Sequence, residues 1–408
     1  MYRKINWLKI RDSGVTLFVA ALALRILFFS VFHITMGDDD GSQLEIAHNL
    51  LSGRGYVSYR SDFPTPYYAF LPPLFPVLAA GATIVCGEHA LLVLRLLASL
   101  CGALTCVLIA RLGRHLMCHP RGSWAGWALA FYPGHIIWST RLLAESYVML
   151  SYTLALYLVL TASSQSKGIR FIAAGILCAL SALGRGEFSL FVLVITGWLL
   201  WNYRSPTAVR WVACSFLGFT LGMAPWVIRN AMIFKRLVVT ASNYGENFYF
   251  AHSPYYHFGG EAFALPADKA LQMKGLDERQ IEDLYVATGK EFIRAHPWLT
   301  LYTTLVNALV FWRPNLTPGY VSWPQNLLYT CFSFLLLSFF ALGTRFIFTL
   351  RDARAWMLIL SVIAYIFLIH LPFYMVVRFR EAISPLLVLV AAFGYVRWAE
   401  TTGRISSA

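Results

Sequence analysis

Three consecutive acids, Asp38, Asp39 and Asp40, follow directly on a long apolar run over residues 14–35. Carboxylates at the mouth of a membrane span are costly unless they face water, a partner or a substrate. Further along, arginine recurs beside carboxylate in short polar stretches between apolar ones. These are Arg141 and Glu145 in STRLLAESY, Arg185 and Glu187 in ALGRGEF, and Arg378, Arg380 and Glu381 in HLPFYMVVRFREAISP, which also supplies His370 and Tyr374. Arg229 and Asn230 in PWVIRN add another such place. The planar guanidinium fork suits phosphate oxygens, and an anionic lipid-linked substrate would approach from the bilayer at this depth. Acids facing arginines suit a reaction in which a hydroxyl attacks and a phosphate leaves. One carboxylate deprotonates the nucleophile, and the guanidinium groups stabilise charge on the departing phosphate.

Each residue also has a purely structural reading. Asp40 or Ser42 can cap the amphipathic stretch that follows, Leu44, Ile46, Ala47, Leu50 and Leu51. Arginines at span ends snorkel to the headgroups, and Arg141 with Glu145 at i and i+4 can pair on a helix. Those readings account poorly for arginine at several separate turns of one face, most with a carboxylate nearby.

The elements that must position these residues follow from composition. The chain has 408 residues, 58% hydrophobic and 13% charged, with a mean hydropathy of +0.60. A soluble domain carries about 25% charged residues, so the expected class is an all-α polytopic membrane protein. Arg3, Lys4, Lys9 and Arg11 precede the first apolar run and place the N-terminus inside. No small-residue cleavage site follows that run, so it reads as a retained span. Spans are predicted over 14–35, 90–112, 122–139, 146–163, 171–184, 188–203, 211–228, 326–348, 355–371 and 382–398. That makes about ten, with inward-running spans ending in arginine or lysine.

The alternation leaves two external loops in a single domain, 36–89 with the acids and 229–325 for donor or acceptor binding. Within the first, 70–86 is short and opens on Pro72, Pro73 and Pro76, so it reads as an external helix dipping into the bilayer. Within the second, 297–312 reads as a surface-lying helix, and Asn243 and Tyr244 of SNYGENFYF are possible donor or acceptor contacts. Of the 20 acids, only Asp12, Asp352 and Glu400 fall inside. The net charge of +13 therefore reflects topology rather than nucleic-acid binding. The seven cysteines show neither CxxC pairing nor metal-ligand spacing, and no metal or other cofactor is expected.

In order along the chain, the acids after span one, IAHNLLSGRGY, PPLFP, RLLASLCGALT, TRLLAES, LSALGRGE, PWVIRN with SNYGEN, AHPW with FWRP, and RFREAISP form a set. That set resembles the integral-membrane glycosyltransferases of the C-type fold, near the protein O-mannosyltransferases and lipid A aminoarabinose transferase. The resemblance implies an enzyme of the bacterial inner membrane with its site on the external, periplasmic face. Such an enzyme moves a sugar, with inversion, from a polyprenyl-phosphate donor to a lipid, glycan or protein hydroxyl. It implies Asp39 as general base, with Asp38 and Asp40 as alternatives because Gln43 stands where the family has an aromatic residue. It places the second-loop acid on Glu145, a donor-phosphate residue on Arg185 and the late arginine motif on Arg378 and Arg380. A large soluble domain after the last span, carried by some relatives, is not expected. The alternative function is a transporter or flippase for a lipid-linked or anionic substrate. That reading needs ionisable residues near the midplane, where mainly Arg25 and Arg95 stand, and internal repeats, which are not evident.

Overall fold

The computed structural model describes residues 14–32, 38–59, 65–163, 165–253, 267–316 and 322–405. In the hydrocarbon core every backbone N–H and C=O must be satisfied within its own segment, so apolar runs of this length become helices. The helices are α1 (Gly14–Val31), α2 (Asp38–Leu51), α3 (Leu74–Cys86), α4 (Ala90–Met117), α5 (Trp124–Phe131), α6 (Pro133–Trp138), α7 (Glu145–Leu160), α8 (Gly168–Gly184) and α9 (Phe191–Tyr203). They continue with α10 (Pro206–Phe234), α11 (Tyr244–Ala251), α12 (Ala267–Gln272), α13 (Glu278–Ala295), α14 (Pro297–Trp312), α15 (Trp323–Ile347), α16 (Arg354–His370), α17 (Val377–Glu381) and α18 (Ser384–Thr401). Among the described residues the strand-like pairing is an isolated bridge between Ser58 and Tyr67.

Four stretches are long and apolar enough to cross a bilayer: Gly14–Val31, Leu74–Met117, Pro206–Phe234 and Trp323–Ile347. The shorter apolar helices α7, α8 and α16 pack among them. α18 is buried around nearly its whole circumference from Ser384 to Gly394, as expected of a helix apolar on all sides. It forms the centre of the bundle. Close approach there depends on glycine: a Cβ at Gly343 would strike the Val390 carbonyl of α18, and one at Gly394 the Phe339 carbonyl of α15.

One expectation about an individual span changes. The segment 122–139 is not one helix but two, α5 and α6, because Tyr132 sits in extended backbone (φ −71°, ψ 116°) before Pro133. Proline disfavours the helical region for its predecessor and removes a helix N–H. α3 has 13 residues, about 20 Å of helix, against a core of roughly 30 Å. It leans on α2 and α4.

The helices alternate in direction and so sort their ends. At one end α4, α7, α9 and α18 terminate together. There His115 Nε2 lies 3.1 Å from the Leu160 carbonyl, Trp198 Nε1 donates to the Arg354 carbonyl at 2.7 Å and Arg121 pairs with Glu400. At the other end the turn after α6, the turn between α8 and α9 and the segment after α16 meet. Over that end lies a polar layer made of α11, α13 and the segments 56–59 and 65–71. α13 starts in a capping box between Asp277 and Gln280. Its Glu278 accepts from the Tyr68 and Ala69 amides and the Ser242 hydroxyl. One turn later, Glu282 accepts from the Gly245 amide at 2.6 Å.

Candidate active site

The start of α7 presents Glu145, whose side chain is 2% exposed. Arg185, at the end of α8, donates to it through Nη1 at 2.8 Å. Arg378, in α17, donates to the same carboxylate oxygen through Nε at 2.6 Å. One buried carboxylate thus holds arginines from two distant parts of the chain. Arg185 also donates through Nε to Glu187, whose backbone carbonyl accepts from the Tyr365 hydroxyl. His370 Nε2 stands 3.9 Å from Glu187, and its ring stacks on Phe379 at 4.6 Å. Burial pushes the Glu187 carboxyl up, but the charges of Arg185 and His370 outweigh it and hold the group below the usual carboxylate range.

Trp138 joins this group to the acidic segment. The Arg378 guanidinium lies 5.4 Å from its ring centre and that of Arg141 5.3 Å, within cation–π range. Arg141 Nη2 in turn donates to Asp40 Oδ2 at 2.8 Å. The three-residue stretch Ser139–Arg141 is anchored from below as well: Arg25 of α1 donates through Nε to Ser139 Oγ at 2.8 Å. Gly102 of α4 makes room, since a Cβ there would lie 2.6 Å from Ser139 Cβ and 2.7 Å from Arg25 Nε. The side chains of Asp38 and Asp39 lie outside the described residues, although both belong to the first turn of α2.

The cluster therefore interleaves both signs of charge, in the order Asp40, Arg141, Arg378, Glu145, Arg185, Glu187, with the two adjacent arginines sharing Trp138. Each guanidinium carries five N–H donors, and the carboxylates engage only some of them. Arg141 Nε is buried with no acceptor among the described residues. Such a site can take up an oxyanion by sharing arginines that are already held in place.

Two expected contacts are corrected. Arg380 does not join Arg378. It is fully buried and bound to Glu381, to the Tyr329 hydroxyl at 2.7 Å and to the Arg313 carbonyl at 2.7 Å. Glu381 also accepts from Tyr132 at 3.0 Å, which completes a closed internal network. Residues two apart on a helix are turned by about 200°, so the two arginines of α17 face opposite ways. Nor do Arg141 and Glu145 pair as i and i+4, because α7 begins only at Glu145.

The other expected residues lie further out. Arg229 donates to the Tyr56 carbonyl at 2.9 Å and to that of Tyr68, over the rings of Tyr56 and Trp226. It fastens the segments 56–59 and 65–71 rather than facing the arginine cluster. Tyr244 is half exposed and stacks beside Phe248 at 6.2 Å, with Phe373 edge-on at 5.2 Å. Asn243 precedes α11, and the Tyr374 amide donates to the Asn247 carbonyl at 3.0 Å. A Cβ at Gly186 would meet Thr240 Oγ1 at 2.9 Å, so the chain leading to α11 passes the Arg185 turn. Trp138, Tyr365 and Glu278 escaped the sequence reading. Trp138 stands three residues before Arg141, the one signal that would have found it.

Residues 71–228 match the family described as dolichyl-phosphate-mannose-protein mannosyltransferase. Trp138, Arg141, Glu145, Arg185 and Glu187 fall inside that match, while Asp40, His370 and Arg378 fall outside. No curated protein matches. Among solved structures, the chain is similar to the Archaeoglobus fulgidus oligosaccharyltransferase tethered to an acceptor peptide with the NVT sequon. The TM-score is 0.58 and the identity 13%, over 98% of this chain and 50% of that one. The same archaeal enzyme, AglB, in complex with an inhibitory peptide and a dolichol-phosphate, gives 0.58 and 13%, over 100% and 53%. The chain thus spans about half the length of these structures. ArnT from Cupriavidus metallidurans bound to undecaprenyl phosphate scores 0.44 at 15% identity, over 96% and 78%. Apolar helices, family match and shared fold together identify an integral membrane protein with the C-type glycosyltransferase fold, similar over residues 71–228 to the dolichyl-phosphate-mannose-protein mannosyltransferases.

Proposed function

We propose that this chain is a glycosyltransferase that moves a sugar from a polyprenyl-phosphate donor to a hydroxyl of a lipid, glycan or protein, inverting the anomeric centre. The observation that carries the reading is the convergence of Arg185 and Arg378 on Glu145, with Arg141 alongside and the acid-rich start of α2 attached through Asp40. The donor phosphate meets the guanidinium groups of Arg141, Arg185 and Arg378. Glu145 and Glu187 hold those groups in place, so little reorganisation is needed as charge develops.

Asp39 is the general base. The acceptor oxygen attacks C1 of the sugar, its proton passes to the Asp39 carboxylate, and the bond from C1 to the phosphate oxygen breaks. Polyprenyl phosphate leaves with the bonding electron pair. Asp40, already paired with Arg141, positions the segment rather than taking the proton. The site lies on the external, periplasmic face of a bacterial inner membrane, and the external segment 229–325 supplies the contacts for the acceptor.

The test is transfer of labelled sugar from a polyprenyl-phosphate donor in membranes. Asp39→Asn abolishes transfer while the protein remains folded. Full activity in that variant removes Asp39 from the mechanism. Passage of the lipid-linked substrate across liposomes without a new glycosidic bond would replace the enzyme with a transporter.

A further inference from the structure

At the end of the bundle remote from the arginine cluster, α4, α7, α9, α16 and α18 enclose a cavity of about 770 Å³. That is within the roughly 300–1,000 Å³ of ordinary ligand sites. None of its residues belongs to the site proposed above.

The rim charges come in opposed pairs. Arg354 donates to Asp352 through Nε at 3.0 Å and Nη2 at 2.7 Å, and Arg397 donates to Glu400 at 3.2 Å. Glu400 also pairs with Arg121, so the rim carries both signs of charge and a purely anionic ligand meets carboxylates as well as arginines there. A ligand carrying one charge of each sign can lay its anion against the arginines and its cation against the carboxylates. Hydrogen bonds from Arg354 hold the Asp352 carboxyl at about 2, so that negative charge persists at any physiological pH.

Two further features favour a cation that donates hydrogen bonds. The carboxyl ends of α4, α7, α9 and α18 meet at the cavity while only α16 begins there. The carbonyl ends of four helix dipoles therefore outnumber one amino end. The side-chain oxygen of Asn202, in the wall, is buried and accepts no hydrogen bond among the described residues. Deeper in, the wall is apolar and aromatic, with Trp198, Trp356 and Phe393. The cavity opens at the ends of the spans, where headgroups of one leaflet lie.

We propose that this cavity binds the headgroup of a phospholipid bearing a primary amine. The phosphate lies against Arg354 and Arg397, and the ammonium donates to Asn202, Asp352 and Glu400. A quaternary amine carries the same charge without N–H donors, and a glycerol headgroup lacks the cation, so the three headgroups separate the components of the site.

The experiment is native mass spectrometry of the full chain released from vesicles of equimolar phosphatidylethanolamine, phosphatidylcholine and phosphatidylglycerol with identical acyl chains. Phosphatidylethanolamine is retained in preference to the other two. Retention falls roughly tenfold in Asn202→Leu and in the double variant Asp352→Asn, Arg354→Gln, the loss expected for hydrogen bonds to a charged group. Asp352 and Arg354 are exposed, so the double variant keeps its fold and decides the matter if Asn202→Leu does not. Equal retention of all three lipids, preference for phosphatidylglycerol or phosphatidylcholine, or unchanged retention in the folded double variant would overturn the proposal.

Discussion

Arg141 and Asp40, 101 positions apart in sequence, meet at 2.8 Å with side chains 11% and 4% exposed. The residue two before Arg141 is held by Arg25 of α1. α1, through Arg25, and the first turn of α2, through Asp40, are therefore both fastened to the single stretch Ser139–Arg141.

Removing one partner of a buried pair leaves the other charge uncompensated, at a cost of about 3 kcal/mol. Asp40→Asn and Arg141→Gln each lower the thermal unfolding midpoint in detergent. The double variant loses less than the sum of the two, because the orphaned charge is gone. Additive losses would show that the pair contributes nothing of its own.

Arg378 and Arg380, two residues apart, have separable effects. Arg378→Ala lowers sugar transfer roughly 100- to 1,000-fold, as when one donor to a developing oxyanion is removed, and costs less stability than Arg380→Ala because Glu145 keeps Arg185 as a partner. Arg380→Ala strands Glu381 in the interior and destabilises by about 3–5 kcal/mol. Unfolding curves measured beside initial rates distinguish the two, and a stable, inactive Arg380→Ala would contradict the assignment.

The polar layer is sensitive to pH through Glu282. Burial pushes its carboxyl up to about 8, reinforced by the charges of Glu246 and Glu278 and opposed by the Gly245 amide. The folded value lies above the unfolded value of about 4.3, so between them the folded state holds a proton that the unfolded state has released. Stability is then fully present below about 4.3 and declines as pH rises toward 8, by a few kcal/mol at most. Glu282→Gln removes this slope. Hydrogen exchange of the α11 and α13 amides from pH 5 to 8 reads the effect directly.

Charge on the departing phosphate is met by guanidinium groups in the proposed mechanism, so transfer requires no divalent ion. Initial rates measured with and without excess chelator agree within error. A rate that collapses with chelator and returns with one added metal would require an ion at the site.

Much of the fold was legible because a bilayer imposes few solutions. Apolar runs of the right length must be helices, and lysine and arginine at alternate ends set their directions. Those directions brought Glu145, Arg185 and Arg378 to one end without any knowledge of contacts. The break before Pro133 was missed, although proline is written in the sequence, because the apolar run around it reads as one span. The partner of Arg141 was not legible: a nearby acid at i+4 competes with a distant one, and only the start of α7 at Glu145 excludes the near partner. The roles of Glu278 and Arg229 as fasteners of the segments 56–59 and 65–71 left no local signal, since their acceptors and donors are backbone groups far away in sequence.

By itself, then, the sequence determined the class of molecule, the helical state of its apolar runs and the gathering of Glu145, Arg185 and Arg378 at one end of the bundle. Those follow from transfer free energies and charge placement, which are properties of single residues. The tertiary structure decided which arginine meets which carboxylate, that Arg378 faces the site while Arg380 is locked in the core, and that Ser139–Arg141 fastens both α1, through Arg25, and α2, through Asp40. Those depend on helix phase and on where a helix begins, and such choices emerge only when distant segments pack.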